Sequence, residues 1–455
     1  MDARNKLARE VPTEMGGVPS RGQVSKVAAV AVLGTAVENF DFTGVGIIAA
    51  IAWPRVFFPE SSYAVALLLS FSVFGIGFLG RTIGAFIFGH VGDRWGRRTM
   101  LIWTLILSGI GTIGIGLTPG YDAIGIAGGV IVTLLRFLQG LGFGGELPGA
   151  AVWVNEVTQK RPKWRGFWNS LTGGFAPSVG STAGSNVTSW LVVATGTLFA
   201  STAFNAGWRI VFYVGAVMLL VALYMRLRVI ESPAFLELVA KHRIKRVPSA
   251  YLIRHFPGTL LKLIALGMVP ATFFIISTFT AGFLTSRGFS ATLASSAVAI
   301  GLLLFTCEAD VVFGILTRWV NVRLLFAMGT IGSILFIFPY FFLMQTGVWW
   351  YATLGVGILG AIIQLTTCTW PTIFPDYIST EARASGVGLG FQIGVMLSGG
   401  LLPFIAADII SVVGGTANAW PYISAIIVVY DVIALIALIL LPESKKVVDA
   451  PWVVK

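Results

Sequence analysis

Apolar residues along this chain come in long runs with few charges, and short polar stretches separate the runs. A helix of about 20 apolar residues is long enough to cross the hydrocarbon core of a bilayer. Twelve such runs can be placed, which predicts an all-α polytopic membrane protein with twelve transmembrane helices. The predicted spans are residues 27–52, 64–90, 100–117, 123–153, 167–193, 208–226, 259–284, 292–314, 323–344, 349–372, 383–408 and 418–441.

Composition supports membrane spans over soluble cores. Of 455 residues, 56% are hydrophobic and 11% are charged, against roughly 25% charged in soluble globular domains. The two cysteines, Cys307 and Cys368, both lie in apolar runs, so neither a disulfide framework nor a metal site is indicated. A phosphate-binding loop is absent, which argues against direct use of ATP. We therefore expect no enzyme activity, no cofactor and no metal.

The net charge of +11 has two possible origins, a nucleic-acid surface or basic loops on one side of a membrane. Basic residues occur in alternate connections, after the second, fourth and sixth spans, whereas the opposite connections carry only Arg55, Arg209 and Arg287. This alternation favours membrane topology over a nucleic-acid partner. It predicts that both termini lie in the cytoplasm and that the chain is integral to the plasma membrane.

The longest polar interval between spans follows the sixth span and divides the chain into two halves of six helices each. The expected organisation is a cytoplasmic tail at residues 1–26, a first six-helix bundle at 27–226, a basic linker at 227–258, a second bundle at 259–441 and a tail at 442–455.

Sequence motifs in the first half resemble those of a known family. The connection after the second span reads GHVGDRWGRR (residues 89–98), similar to the loop signature of the major facilitator superfamily. The fourth span contains RFLQGLG (136–142), similar to its second motif. The segments GTAVENFDF (34–42) and GGE (144–146) resemble the metabolite:proton symporter family. The resemblance implies two six-helix bundles around a central cavity that opens alternately to either side.

The loop signature implies a contact that ties the two halves together. Asp93 is expected at the positive N-terminus of span eleven, near Gly386, and Arg97 is expected to reach Glu156. A solvated loop is the alternative interpretation. The residues assigned to this conformational interlock are Gly89, Asp93, Arg94, Gly96, Arg97, Arg98, Glu156 and Gly386.

Charged residues within spans are expensive and usually functional. Gly34, Glu38 and Asp41 are spaced to share one helix face, and helix rise places Asp41 at roughly the depth of Arg136. A pair between them predicts a proton-dependent latch because a carboxyl group exchanges its proton and an arginine does not. A static structural pair is the alternative. Glu38, Asp41 and Arg136 are the predicted proton-coupling residues.

Arg81 and Glu146 lie at similar depth nearer the cytoplasm, which predicts a second pair. This pair either orders the solute path or only neutralises two buried charges. Arg81 and Glu146, together with Gln139, Phe40 and Asn39, are the candidates for the substrate cavity. Asp431, in span twelve, has no predicted partner.

The second half departs from the motif pattern. Arg318 stands where the repeated loop motif would carry its acid, and Glu308 and Asp310 upstream either take over that pairing or form an ordinary acidic helix end. Span seven lacks the polar character usual for the family, and Pro270 is expected to kink it.

These features predict a secondary active transporter that imports a small organic solute, a carboxylate or zwitterion, together with protons, and that works as a monomer. A proton-driven exporter or a sugar porter would use the same loop motif. A membrane receptor that binds without translocating its ligand is the alternative from another functional class.

Overall fold

The structure, a computed structural model, describes residues 19–198 and 207–442. This part of the chain forms twelve long helical segments. They are α1 (Arg21–Ile51), α2 (Tyr63–Trp95), α3 (Arg97–Leu117), α4 (Ala127–Thr158), α5 (Pro162–Ser170, Leu171–Phe175 and Ala176–Leu198), α6 (Gly207–Arg226), α7 (Pro257–Leu266, Ala271–Phe274, Ile275–Phe279 and Thr280–Ser286), α8 (Ala291–Leu316), α9 (Val322–Gln345), α10 (Trp349–Thr367 and Trp370–Asp376), α11 (Arg383–Val395, Met396–Gly400 and Leu402–Val412) and α12 (Thr416–Leu440).

The helices form two bundles, α1–α6 and α7–α12, which confirms the predicted fold class. Within the described residues, ten helices are long and apolar enough to cross a membrane by length and composition. Large apolar side chains are exposed along their outer surfaces, as lipid-facing positions require; examples are Leu68, Trp103, Leu134, Val217, Leu335 and Ile439.

Local sequence explains where several helices begin, turn and bend. Ser20 caps α1 in a capping box with Gln23, so the helix begins inside the stretch predicted as a tail. Gly96 separates α2 from α3 at a φ of 105°, a left-handed value that favours glycine. Pro270 lies at the break in α7, as expected from its missing amide hydrogen. Helices α5, α7 and α11 each contain one wider π-type turn.

The linker between the bundles is partly helical. It contains two short helices, Pro233–Ala240 and Pro248–His255, before α7 begins at Pro257. It lies at the same end of the molecule as the connections α2–α3, α4–α5, α8–α9 and α10–α11. We call this the linker end and the other the opposite end. The predicted C-terminal tail lies outside the described residues after position 442, as do residues 1–18 of the predicted N-terminal tail.

Buried side chains from both bundles pack together toward the linker end. One hydrophobic cluster combines Phe78, Leu147 and Val152 of the first bundle with residues of the second. The partners from the second bundle include Trp370, Phe374, Val387 and Phe391. In this conformation the two bundles are therefore closed against each other at the linker end.

Candidate functional site

A buried polar cluster in the first bundle is centred on Asp41 of α1. Arg136 Nη1 lies 3.5 Å from Asp41 Oδ2, and Gln139 Nε2 donates to the same oxygen at 2.8 Å. Thr112 of α3 donates to Asp41 Oδ1 at 3.4 Å. All four side chains are buried. The structure therefore brings Asp41 and Arg136 together, and it adds Thr112, which the sequence analysis missed because a threonine in an apolar span carries no distinctive signal.

Gln139 links the two charges in this cluster. Arg136 Nη1 also donates to Gln139 Oε1, while Gln139 Nε2 donates to Thr112 Oγ1 at 2.6 Å as well as to Asp41. The spacing from Arg136 to Gln139 is one helical turn, so α4 presents both to α1 from the same face. Loss or gain of one proton on Asp41 therefore affects a connected network of hydrogen bonds and not a single ion pair.

Aromatic rings surround the cationic side chains beside this cluster. The guanidinium of Arg136 lies 5.3 Å from the ring centre of Phe74, and that of Arg81 lies 4.7 Å from Phe42. Phe42 also contacts Phe274 of the second bundle, with 6.2 Å between ring centres. This aromatic layer thus lies where the two bundles meet.

The predicted pair between Arg81 and Glu146 is wrong. Arg81 Nη1 lies 2.8 Å from Glu38 Oε1, whereas Glu146 is bound by both terminal nitrogens of Arg226 at 2.7 and 2.8 Å and by Thr104 Oγ1 at 2.8 Å. Helical rise predicts a similar depth for Arg81 and Glu146, but it says nothing of which face of its helix each side chain occupies.

Arg226 was missed for an identifiable reason. It is the last residue of α6, and in the sequence it reads as the first basic residue of the linker, although its side chain turns back into the bundle and is fully buried. Gly34 leaves room for the pair of Arg226 and Glu146, because a Cβ at that position would lie 2.3 Å from Glu146 Oε1 and 2.4 Å from Arg226 Nη2.

Two of the substrate-cavity candidates are not placed to contact a solute at this cluster. Phe40 is buried in the core of the first bundle with Trp208 and Phe212, against α5 and α6. Asn39 donates to the Thr35 carbonyl of its own helix at 2.9 Å. Both follow from the helical period, since positions 39 and 40 point away from the face shared by Glu38 and Asp41.

The loop signature contacts the second bundle at the linker end. Both oxygens of Asp93 accept hydrogen bonds from the N-terminus of α11, from Ala384 N at 2.9 Å and Ser385 N at 2.8 Å. The expected contact is present, and the first turn of a helix is where a carboxylate is stabilised.

Arg97 and Glu156 are also in contact, as expected. Arg97 donates to Glu156 at 2.9 and 3.1 Å and to the carbonyl of Thr380 at 3.2 Å. Arg383 of α11 donates to the same carboxylate at 3.1 Å. Glu156 is therefore shared by an arginine from each bundle, and the part of Arg383 was not predicted from the sequence.

The beginning of the linker closes over this network. Glu231 accepts from the backbone nitrogens of Arg97 and Arg98 at 2.9 and 3.1 Å. Burial raises the pKa of Glu231 above its usual value, although these backbone donors and the charge of Arg97 act in the other direction. The Glu231 carboxylate lies so close to Gly96 that a Cβ there would meet it at 2.3 Å.

The remaining motif residues lie around the same contacts. Gly89 packs against the backbone of Ser385, and Gly386 packs against Ile378. Arg94 donates to the carbonyl of Arg246, and Arg98 to that of Leu227, so both bind the linker. Other polar contacts between the bundles were not predicted; they join Arg165 to Asp376, Asn155 to Pro371, Asn169 to Thr372 and Gln392 to Gly144.

The acids of the second half do not reproduce the loop motif. Arg318 stacks over Trp164, 4.8 Å from the ring centre. Asp310 is buried and accepts from Ser178 Oγ of α5 at 2.7 Å, so it binds a side chain within the helix and not a helix N-terminus. Asp431 is buried in the second bundle, near Ser333.

Comparisons with known proteins agree with this architecture. A family model described as "Sugar (and other) transporter" matches residues 27–251. The chain is 31% identical over 441 residues to the shikimate transporter of Escherichia coli (strain K12), covering 94% of this chain and 97% of that protein. It is 30% identical over 420 residues to the glycine betaine/proline/ectoine/pipecolic acid transporter OusA of Dickeya dadantii (strain 3937), covering 90% and 82%.

The fold is also similar to that of a solved transporter. The proton:xylose symporter XylE of E. coli superimposes with a TM-score of 0.68 at 16% identity, covering 92% of this chain and 95% of that one. Because relatives matched over nearly their whole length are transporters, the chain belongs to the major facilitator superfamily and, within it, to the metabolite:proton symporter family.

Proposed function

We propose that this protein imports a small organic solute bearing a carboxylate, either an anion or a zwitterion, together with a proton by alternating access. The single observation that carries the proposal is the buried contact of a protonatable group, Asp41, with a permanent cation, Arg136. In this proposal the linker end faces the cytoplasm, as the basic connections there favour, and the protein acts as a monomer in the plasma membrane.

Protonation of Asp41 changes what Arg136 can bind. An ionised Asp41 holds the guanidinium and the Gln139 amide. A neutral Asp41 attracts Arg136 much less, because the charge–charge part of the interaction is lost. The freed guanidinium is then available to a solute carboxylate, for which its planar fork is well suited. Proton binding thus precedes or accompanies solute binding, which is the coupling that symport requires.

Unused hydrogen-bond donors indicate where a carboxylate would bind. Arg81 Nη2 and Arg136 Nε are buried, and neither has a hydrogen-bond partner among the described residues. Both guanidinium groups lie beside Phe42, at the meeting point of the two bundles. Aromatic faces also favour quaternary ammonium groups. Two relatives are named as carriers of shikimate and of glycine betaine and proline, all of which contain a carboxylate.

Glu38 has a supporting part in this scheme. It pairs with Arg81 one helical turn from Asp41, so a solute carboxylate that binds Arg81 competes with Glu38 for it. Glu38 and Asp41 therefore respond to the same solute through separate arginines, and proton uptake by the two acids is coupled.

The test is uptake into proteoliposomes of radiolabelled shikimate, proline and glycine betaine. We expect one of these solutes to accumulate when the outside is acidic, and Asp41→Asn to abolish accumulation against a gradient while exchange down a gradient persists. Asp122→Asn is the matched control, since Asp122 is exposed at the opposite end, and should behave as wild type.

Other outcomes point to the other functions. Efflux driven by an inward proton gradient would identify an exporter, and binding without flux would identify a receptor. Normal pH-dependent accumulation by Asp41→Asn would move the proton site elsewhere, with Glu38 as the first candidate.

A further inference from the structure

A second buried carboxylate lies between the two bundles, outside the cluster described above. Asp310 of α8 is fully buried. Its Oδ2 accepts from Ser178 Oγ of α5 at 2.7 Å, and Gln364 Nε2 of α10 donates to the same Ser178 Oγ at 2.6 Å. The contact thus joins one helix of the first bundle to two helices of the second.

Nothing in the described surroundings neutralises this carboxylate. Asp310 Oδ1 is buried and has no hydrogen-bond partner, and no described arginine or lysine is paired with Asp310. The oxygen points at Gly174, where a Cβ would come within 2.1 Å. An ionised carboxylate left in this setting would cost several kcal/mol, and a neutral carboxylic acid costs much less.

The titratable groups around Asp310 do not supply a positive charge. Cys368 on the neighbouring α10 is close enough to interact with it, and Cys307 is close to it on its own helix. Glu308 also lies on α8. The nearest basic residue on the facing part of α5, Arg165, is bound to Asp376, and Arg287 lies at the opposite end, beyond α7.

The backbone of α5 next to Asp310 leaves space for its carboxyl group. Gly174 belongs to the π-type turn Leu171–Phe175 in α5, and such turns occur frequently at functional sites. Because this turn has no side chain at Gly174, the Asp310 carboxyl group packs directly against the backbone of α5. When the bundles separate at the linker end, this close contact is lost and water reaches the carboxyl group.

We propose that Asp310 is a proton-sensing residue that holds a proton while the linker end is closed and releases it when that end opens. Asp310 lies six residues before Leu316 at the linker-end terminus of α8, or roughly 9 Å along the helix, and the opposite end is much farther away. The proton is therefore taken from and returned to the linker side. It is a regulatory proton and not a transported one.

Proton exchange at Asp310 makes the transporter respond to the pH on the linker side of the membrane. A low pH at the linker end keeps Asp310 neutral and holds that end closed, whereas a high pH favours its ionisation and opening. The inference rests on the proposed function for its meaning in a transport cycle, but its test needs no transported solute.

The experiment measures the linker-end distance by pulsed electron resonance between nitroxides at Lys163 of α5 and Trp319 after α8, both exposed. The background carries Cys307→Ser and Cys368→Ala so that only these two sites are labelled. In full-length protein in nanodiscs, we expect the closed-to-open ratio to fall as pH rises, by up to about tenfold per unit for one proton. Asp310→Asn should remain closed at all pH values.

Two further variants separate this role from a structural one. Ser178→Ala removes a hydrogen bond to Asp310 that exists only while the linker end is closed, so opening should become easier and the transition should move to lower pH without disappearing. Asp431→Asn is the matched control: Asp431 is also a buried acid whose two oxygens have no hydrogen-bond partner in the described chain, but it lies within one bundle, so its variant should follow the wild-type profile.

The results that would overturn the proposal are specific. They are an unchanged pH profile in Asp310→Asn, or an equal loss of pH dependence in Asp431→Asn. If Asp41→Asn alone removes the whole pH response, Asp310 has no sensing role. A failure of proton-driven uptake in proteoliposomes would instead count against the proposed function and leave this measurement unaffected.

Discussion

Several buried charges in the first bundle have identifiable partners, and the partners decide what each charge can do. Glu146 and Arg226 form a closed pair with two hydrogen bonds between them. The pair between Asp41 and Arg136 is longer, at 3.5 Å, and is shared with Gln139. The first geometry is typical of a structural ion pair, and the second leaves room for exchange of partners.

The structural pair makes a prediction at the residue scale. Glu146→Gln and Arg226→Met should each lower thermal stability, because removing one partner leaves an unpaired buried charge at a cost of about 3–5 kcal/mol. The double variant should be less destabilised than the sum of the two. The measurement is the thermal unfolding midpoint in detergent.

A matched cycle shows whether this coupling is specific. Glu146→Gln combined with Arg209→Met should be additive, since Arg209 lies at the other end of α6 and donates to Gly116. Additivity in the cycle of Glu146 and Arg226 would show that the two side chains do not stabilise each other in solution.

At the scale of elements, helix ends provide the contacts that hold this conformation. The N-terminus of α11 receives Asp93 from α2. Arg383 in its first turn donates to Glu156 from α4. The corresponding contact in the second half is different. Arg318 stands where the repeated loop motif would have an acidic residue, and Asp310 accepts a hydrogen bond from Ser178 in the middle of α5. The polar contacts that the loops of the two halves make in the closed conformation therefore differ, although the helices pack in a similar way.

Asp93 should control the stability of the closed linker end. Asp93→Asn removes the charge at the α11 N-terminus, which is worth about 0.3–1 kcal/mol at exposed sites and up to ~2 kcal/mol when partly buried. We expect the linker end to open more often, so that buried Cys368 between the bundles is alkylated several-fold faster. The readout is mass spectrometry of the peptide that contains Cys368.

The control for this change is Asp122→Asn, which also removes a carboxylate but at the opposite end, where it is exposed. Its Cys368 should react at the wild-type rate. Equal rates in wild type and Asp93→Asn would exclude a part for Asp93 in holding the linker end closed.

For the molecule as a whole, transport requires the two bundles to separate at the linker end. Arg165 and Asp376 form an ion pair between the bundles there, and both are partly exposed. In a chain without its natural cysteines, a reducible bifunctional thiol reagent as long as this ion pair should link Arg165→Cys to Asp376→Cys, stop transport almost completely, and allow recovery when it is reduced.

A second cysteine pair tests whether the crosslinking treatment itself is harmful. Glu237 and Lys241 form an ion pair one turn apart in a single linker helix, so a crosslink between Glu237→Cys and Lys241→Cys joins nothing across the bundles. It should leave transport unchanged. Full activity in the crosslinked Arg165→Cys/Asp376→Cys protein would mean that these helices need not separate.

Much of this protein follows from its sequence because membranes impose simple rules. The bilayer requires long apolar helices, so the number of spans and the two bundles were predictable from residue pattern alone. Asp41, Arg136, Asp93 and Arg97 were predictable as functional candidates, because charge within a span is costly and the loop motif is distinctive.

Partner choice was decided only by the tertiary structure. Rise along a helix predicts depth, but helix rotation and packing determine which of several charges at one depth meet. This is why Arg81 binds Glu38, Glu146 binds Arg226, and Phe40 faces the core of the first bundle. It is also why the contact of Asp310 with Ser178, which lies 132 positions away in the sequence and on the other bundle, required the three-dimensional fold to be seen.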